Sequence, residues 1–258
     1  MDLGLRHGLV SLLRALLKVD GARWIRPFYL YPQQVTEELL DLYADEARIT
    51  KYIDMPLQHI NNAMLKRMHR LGDRKHLTAL VDRIRKKIPG VFFRTAFIVG
   101  FPGETDAAFD ELREFLADME FDRAAVFLYS DEEGTSAIDL GDKVDSDVMD
   151  ERRNELLALQ ESISTRKNQQ YVGKTLQVLI DGLSEDSDRL LEARHEGLAP
   201  EIDGVVYCDR DAGSPGDFAA VTVTDVAGYD LIGHPAQGRA SSPGPTLLTP
   251  KKLGQGYR

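Results

Sequence analysis

The chain has 258 residues, 43% hydrophobic and 29% charged, an ordinary globular composition that can bury one good core and a small second one. Its net charge of −10 disfavours a generic polyanion binder and favours neutral or basic partners. One cysteine, Cys208, excludes an intrachain disulfide framework and any all-cysteine metal or iron–sulfur site built from this chain alone, and no apolar run approaches the roughly 18 residues of a membrane span.

In chain order, the opening MDLGLRHGLVSLLRALLKV carries charges at helical intervals and no small-residue cleavage site, so it reads as a helix over Leu9–Val19, not a signal peptide, and the expected compartment is cytoplasmic. Trp24–Tyr31 reads as a strand ended by Pro32, and Thr36 caps a helix through about Ala47 with Leu39, Leu40 and Tyr43 inward. Tyr52–Leu57 is the next strand. Helical segments follow at Asn62–Arg70 and His76–Ile88, then a strand at Phe92–Val99, a helix capped by Thr105 and running to Met119, and a strand at Ala124–Tyr129. This alternation predicts a parallel sheet with helical crossovers, four strands in all.

Residues 145–172 form a charged connecting helix with Leu156, Leu157, Leu159 and Ile163 inward. After Gly173 the period changes to two, with strands at Thr175–Ile180, Gly204–Cys208 and Ala219–Val226, which predicts a small antiparallel barrel. The expected division is 1–144 for the α/β part, 145–172 for the connecting helix, 173–236 for the barrel and 237–258 for a disordered Gly-, Pro-, Ser- and Lys-rich tail.

Chemistry in parallel sheets collects at the carboxyl ends of the strands. Here those ends are Tyr29–Pro32, Asp54–His59, Gly100–Glu104 and Tyr129–Glu132. The third is the most telling. In FRTAFIVGFPGET, Phe93–Thr105, a continuous apolar strand runs into Gly100, Pro102 and Gly103, where residues without a Cβ allow close approach of a flat or polar ligand; the alternative is a glycine turn that only shapes a tight connection. From Lys66 to Lys87 nine basic residues face only Asp73 and Asp82, which reads first as a solvated helix face.

With strand ends and barrel placed, the chain resembles the radical S-adenosylmethionine methylthiotransferases, within them the RimO type that modifies a small-subunit ribosomal protein. The resemblance runs from Leu9 to about Gly233 and rests on YLYP at Tyr29–Pro32, YIDMPLQH at Tyr52–His59, LKRMHR at Leu65–Arg70, RTAFIVGFPGET at Arg94–Thr105 and APEIDGVVY at Ala199–Tyr207. It implies an incomplete parallel barrel of six βα units, of which this α/β chain carries the last four strands, followed by a TRAM-type β-barrel that presents the target. It also implies S-adenosylmethionine and a 4Fe-4S cluster on a CxxxCxxC loop, a 5′-deoxyadenosyl radical that takes a hydrogen from the β-carbon of a target aspartate, and a methylthio group installed there. The CxxxCxxC loop is absent. The chain is therefore expected to be a C-terminal fragment, inactive alone, with no metal ligands and no assignable catalytic residue.

The resemblance implies cofactor contacts for Gly100, Phe101, Pro102, Gly103 and Glu104 beside the adenosyl part. Arg94 would meet a cofactor carboxylate or a substrate acid, or else make a structural ion pair. Gln58 can donate and accept, which suits a ribose hydroxyl or a loop-stabilising role, and Tyr129 with Ser130 would offer backbone groups to an adenine edge. Asp54 would face the barrel mouth or make a structural hydrogen bond. His59 and His69 have no second histidine at ligand spacing and are read as exposed or loop histidines. Cys208 reads as a small buried hydrophobe.

From Gly173 onward eight basic residues face thirteen acids, the wrong sign for RNA binding by phosphate neutralisation and the right one for a basic ribosomal protein as partner. The alternatives are a tRNA methylthiotransferase, which the acidic barrel and MPLQH disfavour, and a non-catalytic binding module that keeps the barrel.

Overall fold

The computed structural model describes residues 8–185 and 187–236. They fall into two compact units that divide between Ile163 and Ser164. The tail from 237 onward lies outside the described residues.

In the first unit three parallel strands pair in the order β1 (Tyr52–Asp54), β2 (Phe92–Val99), β3 (Arg123–Leu128). Four were expected. The segment around Trp24–Tyr31 runs beside β1 but makes only intermittent bonds: Ile25 bridges Ile49, and Leu30 N–H donates to the Asp54 carbonyl at 2.8 Å. β1 is also shorter than its apolar run, because Leu57 N–H donates to the Thr95 hydroxyl at 3.3 Å and the ladder resumes only at Gln58, whose N–H donates to the Ala96 carbonyl at 2.8 Å.

The helices are α1 (Gly8–Leu16), α2 (Glu37–Asp45), α3 (Asn62–Arg67), α4 (Arg74–Lys87), α5 (Asp106–Met119) and α6 (Ser146–Asn168). Side chains start four of them: Thr36, Asn61, Asp73 and Thr105 each accept a first-turn backbone N–H, satisfying donors the helix cannot pair itself. The apolar stripe of α5, Phe109, Leu112, Phe115 and Leu116, is buried against the sheet. Phe93 and Phe97 of β2 meet Phe121, and Phe97 also meets Phe115 edge to face, so strand alternation puts Arg94, Ala96 and Ile98 on the opposite face. At the amino end of that face Tyr52 and Phe92, paired in register, stack at 5.6 Å between the guanidiniums of Arg26 and Arg123.

On α6 the residues that pack inward are Arg152, Leu156, Gln160 and Ile163, spaced at three or four, whereas Leu157, expected inward, is 36% exposed. Gln160 Nε2 donates to the Phe121 carbonyl at 2.9 Å.

The second unit closes five strands, β4 (Thr175–Leu183), β5 (Leu190–His195), β6 (Val206–Asp209), β7 (Phe218–Ala227) and β8 (Asp230–Pro235), in the order β4-β5-β6-β8-β7. Every pairing is antiparallel except β6 with β8. Closure removes the unpaired edges that a two-layer sheet would expose. Val178, Ile180, Ala193, Val206, Cys208, Val221, Val223 and Leu231 fill the interior. β5 and β8 do not stand out as strands in the sequence. β8 holds Gly233 and ends at Pro235, turn-like signals, yet a Cβ at Gly233 would lie 2.5 Å from the Thr222 carbonyl of the neighbouring strand.

Candidate functional site at the carboxyl rim

β2 delivers the glycine turn to the rim of the sheet. Gly100 and Gly103 have φ of +78° and +84°, which side-chain-bearing residues rarely adopt. The close approach they permit is already used by the protein: a Cβ at Gly100 would lie 2.1 Å from Met149 Sδ, and one at Gly103 would lie 2.9 Å from Arg67 Cζ. Gly103 N–H donates to the Asp142 carbonyl at 2.8 Å, and Glu104 N–H to that of Phe101 at 2.9 Å. Phe101 and Pro102 are buried, with the Phe101 ring edge-on to Tyr129 at 5.0 Å.

Glu104 faces inward. Its fully buried carboxylate accepts from Gly100 N–H, from Arg152 Nη1 at 3.0 Å and from His59 Nε2 at 3.2 Å. His59 Nδ1 accepts the N–H groups of Ile60 and Asn61 at 2.9 and 3.0 Å, so the ring proton sits on Nε2 and points at Glu104. His59 is thus a loop histidine that is wholly buried, not exposed, because its two nitrogens tie the end of β1 to the glycine turn; His69 is exposed. Arg152 reaches on with Nη2 to Asp106 at 2.6 Å.

Arg94 lies opposite Asp54 in the β1–β2 register and pairs with it at 2.8 Å, the carboxylate fully buried and the guanidinium 13% exposed. The other Asp54 oxygen accepts from Tyr29 N–H at 2.9 Å, holding Tyr29 at φ +57° with its side chain out in solvent. So Asp54 and Arg94 neutralise each other within the inner face. Gln58, half-buried at φ +71°, spends its backbone on the ladder: its carbonyl accepts from Ile98 N–H at 2.8 Å. Tyr129 N–H donates to the Val99 carbonyl, and its hydroxyl donates to Asp131 at 2.8 Å while Lys143 stands 5.2 Å over the ring and pairs with Asp131. Desolvation and that hydrogen bond raise the Tyr129 pKa, and Lys143 lowers that of Asp131. Ser130 is exposed and donates to Glu132.

The rim therefore gathers Gln58, Gly100–Glu104 and Tyr129 around strand ends joined by backbone bonds. Two more residues belong there. Arg67 lies across Gly103 with its Nε buried and, among the described residues, lacking a hydrogen-bond partner, and Arg70 stacks on the Tyr31 ring at 5.5 Å. Both sit in the basic run read as a solvated helix face. Much of the rest of that run is paired: Arg83 with Glu37, Lys87 with Asp41, Arg74 with Glu111. An unpaired buried N–H suits an anionic acceptor such as a cofactor carboxylate. Met149, Arg152 and Lys143 were also missed, since charged or isolated residues on a polar helix and loop carry no apolar period.

An iron–sulfur cluster does not fit the residues present. Cys208 is the chain's one thiol, it is buried in the second unit, and desolvation with Asp209 and Asp211 nearby pushes its pKa up to about 12, away from the thiolate a cluster requires. Among the described residues no group of three or more His, Cys, Asp or Glu is placed to hold a metal ion, and no helix is long and apolar enough to cross a membrane.

Residues 4–116 match the model of the Radical SAM superfamily, and residues 172–235 match that of the TRAM domain. The chain is 45% identical over 233 residues to the ribosomal protein uS12 methylthiotransferase RimO of Anaeromyxobacter sp. (strain K), covering 90% of this chain and 50% of that protein. With the protein of the same name from Aquifex aeolicus (strain VF5) the identity is 46% over 235 residues, 90% of this chain and 54% of that one. The chain thus spans about half the length of the curated relatives it matches. Coproporphyrinogen III oxidase (HemN) from Escherichia coli, a radical SAM enzyme, superposes on 63% of this chain and 37% of its own with 20% identity and a TM-score of 0.47.

Proposed function

The chain belongs to the radical SAM methylthiotransferases of the RimO type, and from that premise we propose that it supplies one wall of an S-adenosylmethionine pocket and the target-binding barrel for methylthiolation of an aspartate β-carbon in a small-subunit ribosomal protein. The observation that carries this reading is the identity of 45% sustained through both the Radical SAM and the TRAM segments. On this reading the backbone of Gly100–Gly103, with Gln58 and Tyr129, lines the nucleoside side of the pocket, and Arg67 and Arg70 face the carboxylate of the cofactor. Glu104 and Arg94, satisfied within the protein, shape the wall without touching the ligand.

The single cysteine means that these 258 residues alone do not carry the radical chemistry. Thiolates for a cluster would have to come from other residues. Reconstitution of the chain with iron and sulfide is expected to give no charge-transfer band near about 400 nm; a stoichiometric band would overturn this part of the reading.

The barrel speaks to the substrate class. Residues 173–236 hold four basic residues against thirteen acids, a surface that attracts a basic protein and repels phosphates. The compartment that follows from a ribosomal target is the cytoplasm. The test is a titration of the full chain with a basic small-subunit ribosomal protein and with tRNA between about 50 and 200 mM salt. Protein binding with weak, salt-insensitive RNA binding is expected. Submicromolar, steeply salt-dependent RNA binding would favour a tRNA-modifying enzyme instead.

A further inference from the structure

We propose that Arg152, with Met149 one turn before it on α6, is a positioning residue for the Gly100–Glu104 turn, so that the start of this helix sets the geometry of the cofactor wall. The inference rests on the reading above that the turn faces the adenosyl part. Three observations carry it.

First, the Arg152 side chain is only 7% exposed, yet it lies on a helix whose outer face has many other places for a charge. Its fork is spent on the turn: Nη1 donates to the Glu104 carboxylate at 3.0 Å and to the Glu104 carbonyl at 3.3 Å, and Nη2 to Asp106 at 2.6 Å. It therefore grips both main chain and side chain of the residue that closes the turn. Second, Glu104 transmits this grip, because its other contacts are Gly100 N–H at the start of the turn and His59 at the end of β1. One carboxylate thus joins the segments after β1 and β2 to α6, and its orientation depends on the guanidinium. Third, Met149 occupies the space a Cβ at Gly100 would need, so α6 also fixes how far the turn can swing outward. A buried arginine kept only for stability would need none of this convergence, and an apolar residue of similar volume would serve as well.

Native-state hydrogen exchange on the full chain tests the inference without any cofactor. In Arg152→Gln the amides of Gly100, Gly103 and Glu104 are expected to exchange at least about tenfold faster, while the core amides Phe97 and Val99 of β2 stay within about twofold. Arg152→Lys, which keeps the charge but not the fork, should fall between. Asp106→Ala, which removes only the arm to a residue whose side chain is 95% exposed, should leave the turn unchanged. Unchanged exchange in Arg152→Gln would overturn the inference, and so would equal acceleration of turn and core, which would make Arg152 a general strut. In parallel, affinity for S-adenosylhomocysteine should fall at least about tenfold in Arg152→Gln and recover in part in Arg152→Lys. If the exchange pattern appears but neither wild type nor variant binds the nucleoside, the positioning role stands and the adenosyl reading of the turn falls.

Discussion

In the first unit charges are buried at the face where the site lies: Glu104 between Arg152 and His59, and Asp54 between Arg94 and the Tyr29 amide. In the barrel the contacts of Arg194 with Asp181 and of His234 with Asp209 sit at the surface, while apolar side chains fill the interior and strand closure supplies the order. The contrast follows from topology. A parallel sheet brings several strand ends to one rim with their loops unpaired, and buried charged hydrogen bonds hold those loops in register; a closed barrel pairs its strands all round without needing a buried charge to do so.

Composition makes the contrast measurable, because the one tryptophan, Trp24, reports on the first unit and the one cysteine, Cys208, on the barrel. The largest expected effect is from Glu104→Ala. It strands a buried guanidinium and unpairs His59, and should cost about 3–5 kcal/mol in the urea transition followed by Trp24 fluorescence, with the barrel transition unmoved. A loss below about 1 kcal/mol would erase the distinction between the units.

A smaller effect should appear only in the barrel. The Cys208 thiol is raised from its ordinary value of 9.0 to about 12, chiefly by desolvation, so at alkaline pH the unfolded chain gives up a proton that the native barrel keeps. Native protein then binds more protons than unfolded, and stability falls as pH rises from about 9 toward about 12, at up to about 1.4 kcal/mol per pH unit. Barrel unfolding followed by circular dichroism at about pH 8 and about pH 10 should show this slope in wild type and a shallower one in Cys208→Ala. Equal slopes would mean that the thiol is not desolvated. The same burial predicts that thiol reagents label Cys208 only when the barrel opens.

Much of this architecture was legible in the sequence, where apolar period and end signals agree. Phe92–Val99 and the Thr36 and Thr105 caps stand as read, since an apolar run or an N-cap is a local property. The strand at Trp24–Tyr31 was not legible as extended chain without a ladder, because pairing depends on neighbours a window cannot contain. At the site, the glycines and Glu104 were legible as a turn, but their partners were not. Arg152 reads as one more charge on a charged helix until Leu156 and Ile163 place it on the inward stripe. Arg67 reads as part of a solvated face until Gly103 leaves room for it.

The smallest effect tests the barrel's side of the comparison. His234 Nδ1 and Asp209 Oδ2 stand 2.6 Å apart on β8 and β6, and both side chains are more than a third exposed. Water therefore solvates each partner nearly as well alone, and the gain from pairing is offset by the entropy of holding two side chains. Asp209→Asn keeps the shape and an acceptor for the ring, so the barrel's urea midpoint should change by less than about 1 kcal/mol, less still at high salt. A larger, salt-insensitive loss would show that the parallel β6–β8 seam, the one pairing in the barrel that departs from antiparallel, relies on this pair as the first unit relies on Glu104. The barrel would then be held by charge as well as by closure, and the acidic surface proposed to meet a basic partner would have one carboxylate fewer to offer.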